Sequence, residues 1–397
     1  MAGDMTQAID GILQRVTSGP SPIPGVAFVL TGRDGVAYAG AAGVRTLGLE
    51  APMTTDTVCA IFSTTKALVG TVCLQLAEEG RLDLDAPAKK YAPALGEVQV
   101  LEGFSDDGSL QLRPPKRDIT TRMLLLHTAG FAYDFFNETY NRLAEEHGQP
   151  SVLTATRASI TTPLLFDPGE RWEYGSNIDW AGQVVEGVTG QRLREALQER
   201  LLGPLEMTSS AFVLTDDMRS RMAMLHQRQD DGSVEPLDLI LPQDPEVDMG
   251  GTGLYSTAED YAKFIRMWLN DGAGPNGRIL AAETVEMAVA NGLGDMKIKM
   301  LPGVIAWLSN DAEFFPGMPK SWAITFMLND EDAPTGLPAG SLTWAGLPNV
   351  YFWIDRSNGI GGFWLVQMFP FADPTGVGGF LDVQSAVYAA LPAGATA

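Results

Sequence analysis

The strongest constraint on the fold is the position of the strand-forming residues, which gather at the two ends of a 397-residue chain with a long helical stretch between them. Residues 26–31 and 36–41 flank Arg33-Asp34-Gly35, whose turn chemistry predicts a hairpin. Residues 341–344, 350–355 and 362–369 are rich in aromatic and β-branched side chains, and Arg356-Ser357-Asn358-Gly359 marks a turn between the last two. Between the ends, residues 64–79, 179–189, 192–202 and 258–270 carry apolar side chains at helical spacing, and the first three stop at Gly80, Gly190 and Gly203. A last helix is expected at 379–391, with 392–397 as a frayed tail. The reading is an α/β (α+β) fold in which one sheet, flanked by helices, is assembled from both chain ends. Residues 1–50 and 295–397 would form the sheet region and 51–294 a mostly helical region.

Composition narrows the chemistry. With 45% hydrophobic and 19% charged residues the chain can bury a large core. Its net charge of −22 disfavours nucleic acid and anionic membranes as partners. His127, His147 and His226 stand far apart, and no H-E-x-x-H or C-x-x-C occurs, so no metal site is expected. Cys59 and Cys73 read as reduced core residues. Residues 1–10 lack a basic and an apolar leader segment, and no stretch reaches the ~20 apolar residues of a membrane span. The expectation is a cytoplasmic protein acting on a small molecule.

The sharpest local feature is Ser63-Thr64-Thr65-Lys66 at the start of the first internal helix. Residues three apart share one side of a helix, so the amine can lie against the hydroxyl. Serine attacks a carbonyl only when a base takes its proton, and lysine serves once burial lowers its pKa. The apolar flanks Cys59-Ala60-Ile61-Phe62 and Ala67-Leu68-Val69 would supply that burial. A capping serine beside a solvated lysine would read the same, so the tetrapeptide alone leaves both readings open. Tyr174, held in a loop after Asp167-Pro168-Gly169, is a second candidate: a phenol beside a cationic lysine can be pushed toward phenolate and relay a proton, although on its own the residue reads as a half-buried tyrosine whose hydroxyl meets one partner. Trp344-Ala345-Gly346-Leu347 is a third, because a strand glycine lets backbone approach a ligand and the next N–H can face an oxyanion. No G-x-S-x-G or phosphate-binding glycine loop occurs.

This ordered set resembles the family VIII carboxylesterases, serine enzymes of the class C β-lactamase and penicillin-binding-protein fold. Leu124-Leu125-Leu126-His127-Thr128-Ala129-Gly130, Phe166-Asp167-Pro168-Gly169 and Gly250-Gly251-Thr252-Gly253-Leu254-Tyr255-Ser256-Thr257 match further segments of that family. The resemblance implies a β-lactamase/transpeptidase-like fold, Ser63 as acylated nucleophile, Lys66 as base, Tyr174 as proton partner, and the amides of Ser63 and Leu347 as oxyanion hole, with His127 structural and no cofactor.

Two departures matter. Trp344-Ala345-Gly346 stands where β-lactamases have K-T-G, and Ser176 stands where they have asparagine, with Asn177 one place later. Both point to neutral esters rather than anionic β-lactams. Trp344, Gly346, Ser176, Phe131 and Tyr133 are the expected substrate contacts; Phe135, Phe136, Trp307, Phe314, Phe315 and Trp322 sit on aromatic loops that could line a cleft or belong to the core. The expected activity is a serine carboxylesterase on small to medium neutral esters. Acyl transfer, hydrolysis of short linear amides, weak β-lactamase activity and a non-catalytic binding protein are the alternatives.

Overall fold

Both chain ends enter one antiparallel sheet in the computed structural model, which describes residues 2–391. Its strands are β1 (Gly25–Gly32), β2 (Val36–Gly43), β3 (Lys320–Ala323), β4 (Phe326–Asn329), β5 (Leu342–Gly346), β6 (Val350–Asp355) and β7 (Ile360–Leu365). They lie in the order β3-β4-β5-β6-β7-β1-β2, so the seam between the chain ends is the β7–β1 pair, with Phe28 opposite Trp364.

The central strand β6 reads Val-Tyr-Phe-Trp-Ile-Asp and is buried throughout, as expected of a strand covered on both faces. Alternation sends Tyr351 and Trp353 to one side, where both rings meet Phe380 of helix α5 (Pro374–Ala390). On that side the amphipathic helix α1 (Ala2–Ser18) packs on α5, burying Ile9, Ile12, Leu13 and Val16. Phe352 points to the opposite face, where Tyr261 of helix α4 (Ala258–Leu269) meets both it and Phe363 of β7. Fully burying such a ring is worth about 1.5–3 kcal/mol, and the two aromatic layers hold the sheet between its helices.

Helix α2 (Thr65–Glu78) is apolar nearly all round and buried accordingly. It packs against α3 (Asn177–Thr189), and its Gly70 abuts Thr325 in the β3–β4 turn, where a Cβ would come within 2.2 Å of a methyl.

Several elements differ from the sequence reading. Helix α1 and the β3–β4 hairpin were not anticipated. The strand expected at 362–369 leaves the large sheet after Leu365, and Met368–Phe369 pairs in parallel with Leu225–Arg228 instead. Helix α5 begins at Pro374, because Asp373 caps the amides of Thr375 and Gly376. The helix expected at 192–202 is Leu193–Leu197 continued by a wider turn over Gln198–Leu202. The tail at 392–397 lies outside the described residues. Cys59 and Cys73 are buried free thiols, as expected. Among the described residues no helix is long and apolar enough to cross a membrane, and no group of His, Cys, Asp or Glu could hold a metal ion.

Candidate active site

Ser63 lies in a tight turn (Phe62–Thr64) that runs directly into α2. The chain arrives there clamped: Cys59 and Ala60 pair with Ser256 and Tyr255, and the Gln367 side chain accepts from the Ala60 amide and donates to its carbonyl. The next step is strained, since Phe62 takes a left-handed φ of 43°, which a bulky residue adopts only when its surroundings enforce it. Its ring packs edge-on against Phe369. Thr64 and Thr65 fix the far side: the Thr64 carbonyl accepts from the Tyr261 hydroxyl, and the Thr65 hydroxyl accepts from the Leu254 amide. Ser63 keeps 9% of its surface whereas Lys66 keeps none, so a substrate can meet the hydroxyl but not the amine.

Lys66 Nζ donates to Ser63 Oγ at 3.0 Å, to the Tyr133 hydroxyl at 3.1 Å and to the Gly251 carbonyl at 2.8 Å. Burial pulls its pKa down to about 7, with the Asp179 carboxylate acting in the opposite sense. The amine also lies over the Tyr174 ring, 4.8 Å from its centroid.

The Tyr174 oxygen accepts from the Trp344 indole N–H at 3.0 Å and is further engaged by the Ser63 hydroxyl. A nearby ammonium can push a phenol toward phenolate, but here burial dominates and holds the Tyr174 pKa above its ordinary value, so the resting group is a phenol.

Strand β5 passes directly beside the nucleophile turn. A Cβ on Gly346 would come within 2.3 Å of the Ile61 carbonyl oxygen, so only glycine permits this approach. The buried Leu347 follows it. Trp344 stacks edge-on with Trp322 and Tyr174.

The other expected contacts fare differently. Phe131 is fully buried with its ring stacked on Trp180, and it belongs to the packing beneath the site instead of the cleft. Trp322 is likewise a core ring of β3, its indole bound to the Leu125 carbonyl. Ser176 is buried, and its hydroxyl makes no hydrogen bond among the described residues. Asn177 is turned away from Ser63: its amide donates to His127 Nδ1 at 3.0 Å and to the Phe131 and Glu173 carbonyls. His127 is fully buried, and burial, reinforced by Lys66, holds its pKa well below the ordinary value. Its bond to Asn177 makes Nδ1 the acceptor, as in a neutral imidazole.

Tyr133, expected as a cleft residue, instead bridges Lys66 to Asp179, a carboxylate that sequence reasoning missed; Gly251 was read as part of the 250–257 segment, but not as an acceptor for Lys66. A cleft of about 370 Å³ opens beside Tyr174, lined by Phe136, Asn137, Trp172, Glu173, Lys299 and Leu301.

A serine against a buried lysine and a phenol, with a strand of the antiparallel sheet beside the serine's turn, defines a serine enzyme of the β-lactamase and penicillin-binding-protein type. The chain belongs to the Beta-lactamase family, whose model matches residues 13–382. It is similar to a monacolin J acid methylbutanoyltransferase of Aspergillus terreus, 32% identical over 334 residues, which are 81% of this chain and 80% of that one. It is also similar to a lovastatin esterase of Penicillium rubens, 32% identical over 347 residues, 83% of this chain and 85% of that one. The structure of a simvastatin synthase mutant from Aspergillus terreus superimposes with a TM-score of 0.85 at 28% identity, covering 98% of this chain and 95% of the other. The protein is therefore an enzyme of the acyl-enzyme type, in a family that holds both hydrolases and acyltransferases.

Proposed function

We propose that this enzyme is a serine carboxylesterase acting on small to medium neutral esters through an acyl group on Ser63. The observation that carries the reading is the 3.0 Å contact between a fully buried lysine amine and the hydroxyl of Ser63, a residue that keeps 9% of its surface. Neutral Lys66 takes the Ser63 proton as Oγ bonds to the ester carbonyl carbon, and the amides of Ser63 and Leu347 hold the oxyanion. The carbon–alkoxy bond then breaks, and the leaving oxygen takes a proton from Tyr174, which Lys66 restores. Water attacks the acyl-enzyme by the reverse relay and frees the acid. Trp344 in place of a lysine, together with the net charge of −22, disfavours anionic substrates.

A second reading, acyl transfer to an alcohol, is favoured by the cleft beside Tyr174, which has room for an acceptor far larger than water. It also agrees with the transferase among the relatives. The test is p-nitrophenyl butyrate turnover with intact-mass analysis. Wild type should show a butyryl adduct lost in Ser63→Ala, and turnover unchanged by Ser63→Ala would sink both readings. Adding alcohols and comparing ester with free acid separates hydrolysis from transfer. Nitrocefin turnover matching ester turnover would refute the preference for neutral esters.

A further inference from the structure

Apart from Ser63, both acceptors of Lys66 are held by one side chain outside every motif. Asp179, in the first turn of α3, is fully buried. Its Oδ1 accepts from the Gly251 amide at 2.7 Å, and its Oδ2 accepts from the Tyr133 hydroxyl at 3.2 Å. The Lys66 amine donates to the other pole of each group, the Gly251 carbonyl and the Tyr133 oxygen. One carboxylate thus brackets the amine, through a glycine backbone on one side and a phenol on the other. The bracket also accounts for the glycine. A Cβ at position 251 would come within 2.6 Å of Asp179 Oδ2 and 2.8 Å of the Tyr133 oxygen, so a side chain there would force the three groups apart.

We propose that Asp179 is a positioning residue for acylation, orienting Lys66 so that its free electron pair faces Ser63. The inference rests on Lys66 being the base of the proposed ester chemistry.

The orientation follows from donor counting. A neutral amine has two N–H bonds and one lone pair. With the N–H bonds on the Gly251 carbonyl and the Tyr133 oxygen, the lone pair is left for the Ser63 proton. A tyrosine hydroxyl can donate as well as accept, and an unconstrained Tyr133 would turn its proton to that lone pair in competition with Ser63. Asp179 removes the competitor by taking the Tyr133 proton itself.

The basicity follows from charge. The groups facing Lys66 are the Tyr133 and Tyr174 phenols, the His127 imidazole and the Asp179 carboxyl, with Asp134 adjoining Tyr133. Burial keeps both phenols protonated and the imidazole unprotonated. Burial raises the Asp179 pKa while Lys66 and the Gly251 and Tyr133 hydrogen bonds act in the opposite sense; as a carboxylate it is the near anion that opposes the desolvation of the amine, and without it Lys66 would be a weaker base.

The experiment is the pH profile of p-nitrophenyl butyrate hydrolysis in Asp179→Asn and Tyr133→Phe, beside wild type whose turnover is abolished by Ser63→Ala. In Asp179→Asn the acid limb of kcat/KM should move about one pH unit lower, and plateau kcat should fall about 10- to 100-fold with KM within about twofold. Tyr133→Phe keeps the charge but removes the bridge, so it should lose about tenfold in kcat with a smaller displacement of the limb. A folded Asp179→Asn enzyme with the wild-type limb and kcat would overturn the proposal. If that variant does not fold, Tyr133→Phe with wild-type kcat and limb would overturn it equally. Because Ser63→Ala is scored separately, either result leaves acylation at Ser63 standing.

Discussion

Trp344 gives its indole N–H to the Tyr174 oxygen at 3.0 Å, so the strand residue that stands in place of a lysine is the fixed partner of the phenol. A donor on a phenol oxygen holds the ring in one orientation and favours the form that has given up its proton. Trp344→Phe keeps an aromatic ring against Trp322 and Tyr174 while deleting that donor. The expected result is kcat lower by about tenfold, with KM little changed. A folded variant with wild-type kcat would show the bond to be incidental to turnover.

The Gly346 prediction concerns geometry alone. Its neighbour across the gap is a backbone carbonyl, which cannot rotate aside as a flexible side chain can. Gly346→Ala should push β5 away from the Ile61–Ser63 segment, costing about 1–3 kcal/mol of stability and lowering kcat by tenfold or more. Denaturant midpoints and ester turnover measured on the same preparation check both, and a variant unchanged in each would contradict the close approach.

What was legible in the sequence divides along a physical line. The three-residue step from Ser63 to Lys66 and its apolar flanks are local, and local spacing is enough to place an amine on a hydroxyl. The sheet ends were legible for the same reason, in the Arg33-Asp34-Gly35 turn and the Val350–Asp355 run. The β3–β4 hairpin escaped because its two-residue turn is Ile324-Thr325, with Thr325 at a φ of 66° that turn chemistry assigns to Gly or Asn. Asp179 escaped because an aspartate in the first turn of a helix ordinarily reads as a solvated partner of the helix dipole. Only packing of α3 against α2 and the 250–253 loop turns it inward, and no spacing along the chain encodes that meeting. Phe131 shows the converse: an aromatic close to the site in sequence lies beneath it.

His127 is the residue a search for a serine–histidine pair would select, yet its hydrogen-bond partner is Asn177. Its left-handed φ of 55° suits asparagine as a replacement. His127→Asn should lose about 1–3 kcal/mol of stability through the disturbed Asn177 bond, while the acid limb of the pH profile stays in place. Loss of the Ser63 acyl adduct in a folded His127→Asn protein would instead assign the proton transfer to the imidazole.

The pH profile itself follows from Lys66. Only its neutral form can accept the Ser63 proton, and its pKa is pushed down to about 7 by burial. Below that pH the neutral fraction, and with it kcat/KM, should fall about tenfold per unit, while above it the profile should level off. Tyr174 and Tyr133 add no break near neutrality, since burial raises both phenols. Lys66→Arg places a permanent cation at the same position, and arginine does not deprotonate in proteins. That variant should lose at least about 10³-fold in kcat and leave Ser63 without an acyl adduct. A flat profile across the neutral range, or a Lys66→Arg enzyme retaining substantial turnover, would show that some other group takes the proton.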